Sequence, residues 1–249
     1  MSGSVSLDSR LPVEAFAEQF KQDAIPVNSA YSYFAALPLD DTQFQQHVHE
    51  PLAALPPTLA EVLPRMRLVL VPYLERVNSR GGDLVAFERP ADNRSVVAST
   101  LEIGKELFFF LAVKDEDIAD YHYTLYNGLA GLASHRMRES QRERFNSVLR
   151  EELANEAHGE VEDRSWRLKQ ALRRRQTNPL RETKLQREYF RQSFEDTFTL
   201  YLHGLCCDID VETGPRQLPT RYLRKRLEIL REMFPPPEGV ALFPEELKQ

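Results

Sequence analysis

Ile103-Gly104-Lys105-Glu106-Leu107-Phe108-Phe109-Phe110-Leu111-Ala112-Val113 is the stretch on which the fold class turns. Ser99-Thr100-Leu101-Glu102 precedes it in capping-box order, a hydroxyl followed three residues later by a carboxylate, which starts a helix by satisfying its exposed amides. The run behind the box is apolar on nearly every side, so the pattern predicts a helix buried all round at the middle of the core. Its apolar part, Leu107 to Val113, is far too short to cross a bilayer.

Helical periodicity continues outward from that point. Asp115-Glu116-Asp117 caps a helix whose Ile118, Tyr121, Leu125, Leu129 and Leu132 recur at steps of three and four. Ser140-Gln141-Arg142-Glu143 opens another, carrying Phe145, Val148, Leu149 and Leu153 to an end at His158-Gly159. Asp163 caps a shorter helix with Trp166 and Leu172, closed by Asn178-Pro179. The longest follows, with Tyr189, Phe190, Phe194, Phe198, Tyr201 and Leu205 facing inward, and Leu223, Leu227, Leu230 and Phe234 mark the last. The stretch from Leu180 to Phe234 thus reads as the aromatic spine of a bundle.

On the N-terminal side, Thr58-Leu59-Ala60-Glu61 predicts a helix that Pro64 and Pro72 kink and Arg80-Gly81-Gly82 ends. Before it, a short helix starts near Val13, and an extended segment carries Tyr31, Tyr33 and Phe34 as a contact surface for a partner. The expected fold is mostly α, an irregular multi-helix bundle with an extended aromatic N-terminal arm. The expected division is an arm over 1–57, a bundle over 58–234 with a sub-boundary at 81–98, and a tail over 235–249.

The chain has 249 residues, of which 42% are hydrophobic, enough to bury a substantial core. A net charge of −6 argues against binding nucleic acid with the whole surface. Locally the balance differs: 15 Lys or Arg against 10 acids between Arg136 and Arg191 give +5, which leaves −11 elsewhere. Arg173-Arg174-Arg175 is the peak, a candidate surface for an acidic protein face or, as an alternative, for nucleic-acid phosphates. The first residues lack a basic start and apolar run, so a cytoplasmic location is expected.

Candidate metal ligands cluster at His203, Cys206, Cys207 and Asp208, which His158 and His122 would join if the fold converged them. Thiolate, imidazole and carboxylate suit zinc or iron. Adjacent cysteines lack the two-residue gap of a zinc knuckle, so the favoured expectation is small core cysteines, a turn acid and no cofactor. His158-Gly159-Glu160 with Glu162 and Asp163 has the residue types for acid/base work, but the same order suits a helix end followed by an acidic N-cap. No Gly-rich phosphate loop, His-Glu-x-x-His or Gly-x-Ser-x-Gly occurs, so no catalytic residue is assigned.

Three short matches carry a family resemblance. Ala157-His158-Gly159-Glu160, Leu200-Tyr201-Leu202-His203-Gly204-Leu205 and Arg224-Lys225-Arg226-Leu227 follow in order over Ile118 to Phe234. This region resembles the cytoplasmic domain of the DotU/IcmH proteins of bacterial type VI and type IVB secretion systems. That family's Gly-Gly-Glu after the histidine and its Asp-Glu-Ala in an earlier helix have no counterpart. The resemblance implies a non-enzymatic helical scaffold that docks other components of an envelope-associated assembly.

Overall fold

The computed structural model describes residues 10–77, 82–175, 183–207 and 216–243. Helix makes up 51% of the structure, and nine strands in two sheets make up 20%. The mostly α expectation is therefore wrong for the N-terminal half. Two compact units divide the chain, the first comprising Met1–Leu52 with Leu63–Leu125, the second Ala53–Val62 with Tyr126–Gln249.

In the first unit, β1 (Arg10–Pro12) leads into α1 (Val13–Phe20), and β2 (Ile25–Pro26) into β3 (Tyr31–Ala35). The aromatic arm is thus not an appendage, because β3 runs parallel to β4 (Arg65–Val71) inside a sheet. Between them lie α2 (Asp41–Phe44), a π-helical turn (Gln45–His49) and α3 (Glu50–Ala53). A helix does start behind Thr58, α4 (Leu59–Val62) of the second unit, but it lasts four residues, the Thr58 hydroxyl has no hydrogen-bond partner among the described residues, and β4 starts just beyond Pro64.

β5 (Tyr73–Arg76), β6 (Asp83–Ala86) and β7 (Ser95–Val96) join β1 in an antiparallel sheet of order β1-β6-β5-β7. Its Glu75 is 1% exposed and meets Arg10 and Arg94, each at 3.0 Å. β8 (Ala98–Ile103) and β9 (Glu106–Ala112) complete the other sheet, of order β2-β3-β4-β9-β8.

The stretch expected as a central helix is therefore a hairpin. Gly104, at φ +62°, takes a backbone conformation that tight hairpin turns favour, and β9 pairs parallel with β4 and antiparallel with β8. Leu107 to Ala112 are buried on both faces, and such a strand reads as an unbroken apolar run because neither face meets water. Phe108, Phe110 and Ala112 pack with Val69 and Val71, and α1 adds Val13, Phe16 and Ala17 to that core.

The helical reading holds in the second unit. α5 (Ile118–Arg136) enters it at Tyr126, and α6 (Glu139–Ala154), α7 (Asp163–Arg174), α8 (Lys184–Cys206) and α9 (Thr220–Met233) follow. Thr183 caps α8 by accepting from the Gln186 amide at 3.1 Å. The α8 spine closes against the end of α9, where Tyr201 donates to the Phe234 carbonyl at 2.5 Å and the rings of Phe198 and Phe234 lie 4.7 Å apart. Among the described residues no helix is long and apolar enough to cross a membrane.

Candidate functional site

The densest polar cluster of the second unit is built around Glu160. Gly159 precedes it at φ +82°, a left-handed conformation that lets the chain turn sharply after α6. Glu160 then forms a parallel bridge with Gln217, its amide donating to the Arg216 carbonyl at 2.9 Å and its carbonyl accepting from Leu218 at 3.1 Å. A Cβ on Gly159 would stand 2.0 Å from the Gln217 carbonyl oxygen, so only glycine permits this approach.

The bridge aims the Glu160 side chain into the bundle, where it is wholly buried. Arg226 of α9 meets both of its oxygens, at 2.8 and 3.0 Å. The same guanidinium reaches Glu152 of α6 through Nε at 2.9 Å and Nη2 at 2.5 Å, and its one remaining proton, on Nη1, is shared between Ser193 at 2.8 Å and Thr197 at 3.3 Å. Lys169 of α7 donates to Glu160 at 3.0 Å and to the Gly159 carbonyl at 2.8 Å. Tyr189 and Ser193 of α8 donate to Glu160 at 2.5 and 3.2 Å. Two cations thus face two carboxylates, and one network ties α6, α7, α8 and α9 to the loop after α6.

Burial pushes the Glu160 carboxyl up, but the Arg226 charge and hydrogen bond, then Lys169 and Tyr189, outweigh it and hold the group at about 2. Lys169 is drawn below its ordinary range by burial and by Arg226, against the pull of Glu160. Tyr189 is pushed well up by burial and by Glu160, so its hydroxyl keeps its proton and donates it as a hydrogen bond. Burial raises both Glu162 and Asp196 nearby; the charges of Asp196 and Asp163 add to the rise at Glu162, while at Asp196 those of Glu160 and Glu195 add to it and hydrogen bonds from Ser165 and Gln192 oppose it.

The other sequence-named residues lie apart from this network. His203 and Cys206 stand in the last turn of α8, with Cys207 at its cap. His203 and Cys207 offer ligand atoms within 4.8 Å of one another. Neither cysteine is in a disulfide, and Asp208 lies outside the described residues. His158 is exposed with its ring edge-on to Trp166, 4.9 Å between centroids. His122 belongs to the first unit, is 5% exposed and has Nε2 2.8 Å from the Gln46 carbonyl oxygen.

Arg173 donates to the carbonyls of Glu156 and Ala157, closing the end of α6, while Arg174 and Arg175 are exposed. Tyr31 is buried, and Tyr33 and Phe34 are half-buried within the first unit, Tyr33 with its ring tilted against Phe44 and Phe34 stacked on Phe20.

Sequence reasoning found His158-Gly159-Glu160, met Arg226 only within the family resemblance and gave it no role, and passed over Glu152 and Lys169. Their signal was position: Arg226 sits between Leu223 and Leu230 on the apolar stripe of α9, and Glu152 and Lys169 fall three residues after Leu149 and before Leu172. Charges of both signs on core stripes of separate helices are expected to pair. Compared with known proteins, the chain matches no family model, no curated protein and no solved structure.

Proposed function

We propose that this protein is a non-enzymatic adaptor that binds other proteins in the cytoplasm, as the resemblance to the DotU/IcmH scaffold of an envelope-associated assembly also implies. The observation that supports it is the saturation of the Glu160 network. Glu160, Glu152, Lys169 and Arg226 are each at most 1% exposed, and their charges balance. Catalytic acids and bases need a path to substrate, whereas here every charge is spent on another part of the same unit. The network is a clasp for four helices, and a rigid helical platform suits docking. Arg174 and Arg175 at the end of α7 are exposed and offer it cationic contact points.

The test is photo-cross-linking of the full chain in its native cells, followed by identification of the linked peptides. The expected result is reproducible linkage to a defined protein from arginine-rich faces of the second unit. Adducts with nucleic acid alone would overturn the reading. So would stoichiometric zinc or iron in the purified protein that is lost in Cys206→Ala and Cys207→Ala variants.

A further inference from the structure

The second unit holds a pocket of about 440 Å³ lined by the ends of α5, α6 and α8. Phe145, Phe190 and Phe194, each at most 2% exposed, give it an apolar floor. Arg142, Arg187 and Arg191 line it as well. Glu139 in the lining pairs with Arg142 at 3.0 Å, and Glu195, next to the lining Phe194, lies 3.8 Å from Arg191, so the pocket's excess positive charge rests on Arg187.

Two of its polar groups are unspent. Arg187 is exposed and makes no ion pair among the described residues. Asn146 is 8% exposed, lines the pocket and has no side-chain hydrogen bond among the described residues. Its amide, with one acceptor and two donor protons, can therefore engage a ligand seated in the pocket.

We infer that this pocket takes an acidic segment of a partner protein, with a carboxylate held by Arg187, Arg191 and Asn146 and an aliphatic or aromatic side chain laid on Phe145, Phe190 and Phe194. The inference rests on the adaptor reading and gives it a site. Guanidinium forks match carboxylates in two parallel hydrogen bonds, and a desolvated floor beside them strengthens those bonds. The volume suits one anchoring side chain and its neighbours rather than a broad flat contact. An apolar floor beneath so few cations is poor for a nucleic-acid backbone, which needs a track of them.

Display of random short peptides, selected on the full-length protein, tests this. Expected is enrichment of Asp or Glu beside an aliphatic or aromatic residue. The selected peptide, labelled with fluorescein, should lose about tenfold or more in affinity with Arg187→Glu, less with Arg187→Ala, and should also weaken with Asn146→Leu. Arg187 is exposed, so its variants keep the fold, which circular dichroism checks. Enrichment without acidic residues, no enrichment, or affinity unchanged by Arg187→Glu overturns the inference. Stabilisation by inorganic phosphate alone, lost in Arg187→Glu and unaccompanied by an enriched peptide, would reassign the pocket to small anions. If the Arg187→Glu protein keeps the cross-linked partner of the wild type, the pocket inference fails and the adaptor reading stands.

Discussion

At Arg226 a guanidinium lies wholly out of water between two carboxylates, a placement whose desolvation is offset only while both partners remain. Arg226→Met leaves Glu152 and Glu160 buried with only Lys169, which bonds Glu160, as counter-charge, so it should lower stability by about 3–5 kcal/mol, read from the urea midpoint. Glu160 adds a pH dependence of defined sign. Its folded carboxyl is held at about 2, below the ordinary value of 4.5. A depressed acid stabilises fully above its unfolded value and loses that contribution as pH falls toward its folded value. Acid unfolding of the second unit should therefore develop between pH 4.5 and about 2, and in Glu160→Gln the remaining stability should vary less across that window. Gly159→Ala meets both a left-handed backbone and the Gln217 carbonyl, so it should cost more than about 1 kcal/mol and release the Glu160 bridge. Amide exchange at Glu160 and Leu218 reports that release directly.

Among the elements, α5 to α9 were legible because each keeps a wet face opposite a dry one, which writes a stripe into the sequence. β9 was not, because a strand covered on both faces carries no alternation, and Ser99-Thr100-Leu101-Glu102 happened to spell a helix start inside β8. The overlooked signal was the two-residue Gly104-Lys105 turn between apolar runs. The site was half legible for a related reason: His158-Gly159-Glu160 is contiguous, whereas Arg226 lies 66 residues from Glu160 and reads alone as an interruption in a stripe. The hairpin gives a clean test, since nothing stands within 4 Å of a Cβ built on Gly104 and only its φ of +62° resists a side chain. Gly104→Val should cost about 1–2 kcal/mol, while Gly104→Asn, which tolerates that region, should cost a fraction of it. Thermal unfolding followed by the strand signal compares the two.

The whole molecule combines two compact units, and each has its own means of burying charge. In the first, Glu75 is enclosed between Arg10 and Arg94 beneath a core of phenylalanines and β4 aliphatics. In the second, Glu152 and Glu160 enclose Arg226 amid the aromatic spine of α8. Cooperativity follows shared cores, so damage to one clasp should propagate through its own unit first, and unfolding of the chain need not be a single transition. Arg226→Met provides the discriminating case. Hydrogen exchange of that variant should accelerate across α6, α8 and α9, whose packing the guanidinium joins, while the amides of β4 and β9 keep their protection. Equal acceleration in both sets would mean that the chain unfolds as one body, and protected helices would mean that Arg226 is not the clasp its geometry describes.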